Sequence, residues 1–465
     1  MSTPVIHLES CLRTTSSRFG SYWDKLEWDY RNESVLMDYA KQKLLGGPDT
    51  LEEQVREGSL ACLSTRLALQ FNMDKTAHDV AYAQVKWHMR LCIAATAGLE
   101  KMVTIPGSEP LLAEAAYQLM KAREGVKKSA VCHLAMHSDL NCIDRGRCGE
   151  LVAALLIMQA CDAAREFSNG RCVSVVDFMK ALLPPQKYNT LLQSAPTSLP
   201  KNHDDQRTFK AIFEDWRMWF NHIIKIERKE LISIDYLWEF VVRGAMILCT
   251  TNQEGIDIVL PVCHMTQKLG PDSVTAIIIQ VKNTKDYKAT LQGHLFDAMD
   301  TVVKSTIFCK LPEPGVDCDP DCDCEPTTKT PAEPEKKRRK VAHPEPEKVN
   351  PKAVIRMVMA LASPEPAVVF KDRPEKMHHF DGFTTFDIWL AGLSAETFRQ
   401  IQDEDLEHYK TLLEHSLAPH DAFELKDVAQ IGKKAKKSRG SRRRKMVPLA
   451  FPEHAHHRIH QVKDQ

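Results

Sequence analysis

The run Val274-Thr-Ala-Ile-Ile-Ile-Gln-Val-Lys282 constrains the fold of this chain more than any other segment. It is short, β-branched and almost wholly apolar, so it reads as a buried strand. Side chains on a strand alternate between faces, which puts Ala276, Ile278, Gln280 and Lys282 on one face and Ile277, Ile279 and Val281 on the other. An amide followed by an ammonium at the end of such a strand demands a reason. Left dry and unpaired, those groups would cost several kcal/mol.

The preceding segments supply neighbours for it. Ala245–Cys249 reads as a strand, Thr250–Gly255 as a turn, and Ile256–Val262 as a second strand with Asp257 pointing opposite to Ile256 and Ile258. Residues 263–273 form a loop, 285–303 a helix and Ser305–Leu311 a fourth strand. If the strands bearing Asp257 and Gln280 are adjacent, Asp257, Gln280 and Lys282 converge. A carboxylate with amide or backbone oxygens suits a hard divalent cation such as Mg²⁺. Such a cation polarises a phosphodiester, and the lysine orients water or offsets developing negative charge.

The rest of the chain divides by composition. Residues 1–60 are polar and mixed, and 61–183 form a helical region. Leu63, Leu67 and Phe71 mark one helix, and Val80, Val85, Met89 and Ile93 another. Ile105-Pro106-Gly107 is a break. Glu150–Ala160 is apolar nearly all round, as in a deeply packed helix. Residues 184–206 read as a linker or loop, and Phe209–Ile226 as an amphipathic helix with Trp216, Trp219 and Phe220 as core anchors. The α/β core spans 207–311. Residues 312–350, rich in prolines and charges, form a disordered insertion, and 351–431 continue the α/β domain. There Ala353–Leu361 and Phe383–Leu390 read as strands and Ala395–Ser416 as a helix. Residues 432–465 are a basic, histidine-rich tail.

Length and charge set the outer limits. The 465 residues suggest about two to four folded units. The 62 basic and 62 acidic residues balance, so any attraction to nucleic acid must come from local clusters. The start has no apolar core of a secretory signal, and no stretch reaches the roughly 18 apolar residues of a membrane span. The 14 cysteines show no disulfide spacing, which points to reduced thiols in cytosol or nucleus.

Gly255-Ile-Asp257, a spacer, and an apolar strand ending in Gln280-x-Lys282 resemble the PD-(D/E)XK, or restriction-endonuclease-like, nuclease superfamily. Its signature is an aspartate, then Asp/Glu-x-Lys on the next strand, with glutamine a recurrent variant. The wording GIDIVLPV…VTAIIIQVKN is similar to uncharacterised fungal families of that group. The resemblance covers roughly residues 231–311. It implies a mixed-sheet core with a largely helical N-terminal half, and Mg²⁺- or Mn²⁺-dependent cleavage of DNA. Asp257 and Gln280 would be metal ligands and Lys282 the catalytic cation. The family pattern adds one acid on the first core helix. Glu150, in Gly149-Glu150-Leu151, and Glu239, in Trp238-Glu239-Phe240, are the candidates, with Glu150 preferred as catalytic residue and ligand because its helix is the more deeply apolar. The alternative is a decayed nuclease fold that binds nucleic acid or protein.

Two basic clusters point to the nucleus. Lys336, Lys337, Arg338, Arg339 and Lys340 resemble a nuclear localisation signal that fits the acidic groove of an importin. Lys433–Lys445 holds nine cations among thirteen residues, which reads as a second signal or a DNA-phosphate arm. Cys318, Cys322 and Cys324 lack zinc spacing and read as part of an acidic loop.

Overall fold

The computed structural model describes residues 33–46, 51–71, 75–95, 102–122, 129–139, 148–168, 172–199, 207–250, 253, 255–299, 352–371 and 383–417. The expected insertion at 312–350, the tail at 432–465, the strand at 305–311, most of the polar segment 1–60 and both basic clusters lie outside these residues.

Among the described residues, six helices and a hairpin make the N-terminal half: α1 (Glu33–Leu45), α2 (Leu51–Leu67), α3 (Lys75–Trp87), β1 (Arg90–Ala95), β2 (Met102–Pro106), α4 (Pro110–Ala122), α5 (Ala130–Asp139) and α6 (Cys148–Ser168). β1 and β2 pair antiparallel, so the expected helical run Val80–Ile93 stops at Trp87 and its last residues enter a strand. α6 is the buried helix expected at 150–160. Val152, Leu155, Leu156, Ile157 and Ala160 are all enclosed, and it runs about two turns longer at its C-terminal end than the apolar run alone shows.

The remaining elements are β3 (Val173–Ser174), α7 (Val175–Leu182), α8 (Pro185–Gln193), α9 (Phe209–Phe213), β4 (Trp216–Met218), β5 (His222–Lys225), α10 (Ile234–Arg243), β6 (Ala245–Leu248), β7 (Ile258–His264), β8 (Val274–Lys282), α11 (Gly293–Asp297), β9 (Lys352–Ala360), β10 (Ala367–Phe370), β11 (Phe383–Ala391) and α12 (Leu406–Leu417). α7 starts on Ser174, whose Oγ accepts the Asp177 N–H at 2.8 Å. α10 ends on Gly244 at φ 63°, where a Cβ would run into the Trp219 indole, so only glycine turns the chain into β6 there.

The sheet is mixed. β6, β7 and β8 form an antiparallel meander, β9 lies parallel beside β8, β11 parallel beside β9, and β10 antiparallel at the edge. β6 pairs with the first residues of β7 and carries β5 parallel outside it, while β4 pairs with the last residues of β7. Both faces are covered. Ile258, Leu260, Ile277, Ile279 and Met357 pack with Leu155, Phe178 and Tyr409 in one core. Val259, Ile278, Val358 and Trp389 pack with Leu237, Val241 and Phe296 in the other. The first core runs from Leu60 to Leu413, so the helical half and the sheet share one interior.

Four expectations change. Phe209–Ile226 is not one helix; it breaks after Phe213 into β4 and β5, because edge pairing with β7 and β6 claims its backbone. Trp219 and Phe220 are buried as expected of anchors. The segment 184–206 is not simply a linker, since it holds α8 and a bridge from Ser198 to Thr385 on β11. The helix at 285–303 reduces to α11 among the described residues, and that at 395–416 begins at Leu406.

Two buried charge networks tie the layers together. On β9 and β11, Arg356 grips Asp387 through Nε at 2.7 Å and Nη2 at 2.8 Å, and its Nη1 donates to the Phe296 carbonyl. In the helical half, Arg66 holds Asp162 with two bonds of 2.7 Å and donates through Nε to the Asn221 carbonyl. Arg165 pairs with Glu114 beside it. Asn221 meets the ring of His222, whose other nitrogen lies 2.8 Å from Ser108 Oγ.

Candidate functional site at the strand ends

One end of the sheet gathers the sequence candidates. β5 and β6 run parallel and finish there at Lys225 and Leu248. β7 runs the other way and starts there, and β8 finishes there at Lys282. Ligands of α/β sheets gather at such carboxyl ends.

Asp257 sits one residue before β7. The regular ladder pairs Ile258 with Ile279, yet the Asp257 N–H also donates to the Ile279 carbonyl at 2.9 Å. Two residues therefore oppose one, a bulge. It follows Gly255, whose φ of 79° lets the chain turn where a Cβ would strike the Ala298 carbonyl. The bulge breaks the expected alternation: Ile256 packs in one core and Ile258 in the other. Asp257 consequently does not point opposite to both neighbours. Its carboxylate turns towards β8, where Oδ2 accepts the Val281 N–H at 2.6 Å. It thus touches the backbone of the residue between Gln280 and Lys282.

Gln280 is 5% exposed, and its Oε1 has no hydrogen-bond partner among the described residues. Lys282 is half-buried, with Nζ 6.0 Å from the centre of the Tyr287 ring, at the outer limit of a cation–π contact. Asn283, which sequence reasoning passed over, has both side-chain polar atoms buried and unpartnered among the described residues.

Glu150 arrives from α6. At Gly149 the helix backbone lies against Asn283, so close that a Cβ would sit 3.0 Å from Asn283 Cβ. The first turn of α6 therefore rests on the residue that follows Lys282. Glu150 lines a cleft of about 40 Å³ with Gln70, Leu151, Lys225 and Leu248, on the first-core side of the sheet. Gln280, by alternation with Ile278, faces the other side. Glu239 is exposed on α10, and α10 packs beside the Pro271–Ser273 turn that enters β8, at the end remote from Lys282.

These residues fit a hard cation in donor chemistry. Asp257 brings a carboxylate whose Oδ2 accepts the Val281 N–H, and Gln280 Oε1 is a buried oxygen lacking a donor among the described residues. Mg²⁺ asks only one or two protein oxygens and fills its shell with water. No group of three His, Cys, Asp or Glu residues is placed to hold a metal among the described residues.

Residues 50–308, more than half of the chain, match the family model described as Domain of unknown function (DUF8736). The chain belongs to this family. Its span runs from α2 through α11 and so includes Glu150, Asp257, Gln280 and Lys282 in one unit, whereas β9 and β11 fall beyond it. Curated proteins and solved structures gave no match. Lys225 and Gln70 were not singled out in the sequence, because a lone lysine at the end of a short strand carries no spacing signal.

Proposed function

We propose that this member of the DUF8736 family has a PD-(D/E)XK-type core and hydrolyses phosphodiester bonds in DNA with the help of Mg²⁺ or Mn²⁺. The supporting observation is the meeting of Asp257 with the β8 backbone between Gln280 and Lys282, at the end of an antiparallel meander followed by a parallel strand. In this reading Asp257 and Gln280 hold the cation, while Glu150, expected as a further ligand, lies on the first-core side of the sheet that Gln280 does not face and supplies none. The cation, when bound, polarises the scissile phosphodiester. Lys282 keeps its ammonium at the mouth of the site, where it orients water or offsets charge on the phosphate oxygens. The bulge and Gly255 hold the Asp257 carboxylate in place before any substrate arrives.

Plasmid DNA incubated with the purified protein and Mg²⁺ or Mn²⁺ is expected to be nicked. Lys282→Ala should lower the rate by about a hundredfold or more, as loss of a charge-stabilising group does. Equal cleavage by both proteins, or none by either, would exclude hydrolysis.

A second reading belongs to another class: a decayed nuclease fold that binds nucleic acid or protein. It is favoured by the neutral Gln280 at the second acid position and by the Asp257 oxygen already engaged with Val281. Under either reading, Lys336–Lys340 would engage an importin and bring the protein to the nucleus. Fusion of residues 330–345 to a fluorescent reporter tests that step, and a reporter left in the cytoplasm would remove it.

A further inference from the structure

The chain enters the hairpin β1–β2 with its polarity inverted. His88 and Arg90 are buried, while Trp87, Met89, Leu91 and Ile93 face solvent with 42–58% of their surface exposed. The polar side chains are bonded inward. His88 Nδ1 lies 2.8 Å from the Leu44 carbonyl oxygen, and Arg90 donates to Thr104 Oγ1 at 2.7 Å and to the Leu69 carbonyl at 2.8 Å. Opposite Leu91 on β2 stands Ile105, which is exposed as well. The segment Leu91-Cys-Ile-Ala-Ala95 carries no charge, and all five residues are exposed. Among the described residues β1 pairs with β2 alone, and a two-stranded ribbon by itself is marginally stable in water. Lys86, with its Nζ 4.4 Å from the centre of the Trp87 ring, marks a polar rim.

We infer that this face packs against the same face of a second copy of the chain across a two-fold axis, with Ile93 nearest the axis. The inference stands apart from the nuclease reading. Single exposed apolar side chains are ordinary, but an uncharged row of them marks an interaction surface. Five side chains, each about half open, leave roughly 500 Å² of apolar surface, the size of the largest patches on monomers. Cys92, Ala94 and Ala95 extend it towards the roughly 600–1,000 Å² that each partner of a specific interface buries. A patch without cations offers nothing to nucleic acid or to an acidic segment; it asks for another apolar surface. Of the nine large hydrophobic side chains exposed among the described residues, five lie here, so the surface that best matches the patch is the patch itself. Two-fold pairing lets one surface serve as both halves of the interface. Ile93 is the residue that the ladder to β2 skips, and it is the most exposed of the five.

Analytical ultracentrifugation of the full-length chain, in reducing buffer so that Cys92 cannot cross-link, should show a dimer that dissociates on dilution. Ile93→Lys and Ile93→Glu alter an exposed side chain, so both should melt with the wild type. Each alone should associate about a hundredfold or more weakly, because like charges meet at the axis. Mixing the two should restore the dimer, since opposite charges then meet, and this rescue requires that the face contact itself. Leu91→Ala should weaken the dimer several-fold without introducing charge. A wild type that stays monomeric at every concentration would overturn the inference and leave the patch to another occupant, such as residues 1–32 of the same chain. A dimer that persists in both charged variants would place the interface elsewhere, and a mixture that stays monomeric would show that Ile93 does not face its own copy; either result overturns it too.

Discussion

Two places on the same sheet treat buried polar groups in opposite ways. In its middle, Arg356 and Asp387 are almost wholly enclosed and pair with each other and their surroundings: the paired Arg–carboxylate contacts, the Phe296 carbonyl, and Thr197 Oγ1 accepting the Asp387 N–H at 3.1 Å. At the end of β8, the strand directly beside β9, Gln280 Oε1 and the Asn283 amide are buried with no partner among the described residues. A buried polar group without a partner carries its full desolvation cost. The middle of the sheet uses polarity to fix the register of β9 against β11. The strand end leaves polar groups that the described residues do not pair, and under the proposed function a bound cation would complete their bonding.

This contrast can be broken by substitution. Arg356→Ala should be the most damaging change, leaving Asp387 charged and enclosed; a loss of about 3–5 kcal/mol is expected in urea unfolding. The double replacement of Arg356 by Met and Asp387 by Leu should recover much of that loss. If the double variant is no better than the single one, the pair is not the source of the effect. Next comes pH. Burial, with the Arg243 and Arg66 cations nearby, lowers the His222 pKa to about 3. The unfolded chain takes up that proton near the ordinary value of roughly 6.5. The contribution of His222 to stability is therefore complete above that pH and drains away as pH falls towards about 3. At pH 5 the loss is about 2 kcal/mol relative to pH 8, and His222→Leu should show correspondingly less dependence. A variant with the same pH profile as wild type would refute the assignment.

Gly255→Ala probes the turn that aims Asp257. Its positive φ and the close Ala298 carbonyl predict a cost of about 1–3 kcal/mol, together with weaker metal-dependent cleavage; a melt unchanged from wild type would argue against strain there. The smallest effect is expected at Gln280. Gln280→Leu removes the unpartnered oxygen, so thermal unfolding should be unchanged or improved by up to about 1 kcal/mol. That result, set against the collapse of Arg356→Ala, would sharpen the contrast. A loss of stability larger than this would mean that Gln280 serves the fold.

Much of the sheet was legible. The strand at Val274–Lys282 has the residues expected, and those near 245, 256, 353 and 383 shift by at most about two residues, an ordinary boundary uncertainty, because long β-branched runs leave few alternatives. The short pieces were not legible. Phe209–Ile226 has a helix-like pattern, but β4 and β5 form because β7 and β6 offer unpaired edges, and no local signal reports a distant edge. The same holds for α8 within a stretch read as linker, and for the hairpin β1–β2 within a helical pattern.

The candidate site divides along the same line. By itself the sequence determined that Asp257, Gln280 and Lys282 are polar residues on apolar strands, and that Glu150 opens an unusually buried helix. Tertiary structure alone decided how they meet. The bulge before β7 overrides strict alternation and turns Asp257 sideways onto Val281. The packing of Gly149 on Asn283 brings Glu150, rather than Glu239, to that end of the sheet. The parallel pairing of β5 with β6 brings Lys225 to that end of the sheet, on the side of Glu150. Alternation is a property of one strand and can be read from one strand; which strand ends lie side by side depends on pairings between residues far apart in the chain, and those are fixed only when the two cores close around the sheet.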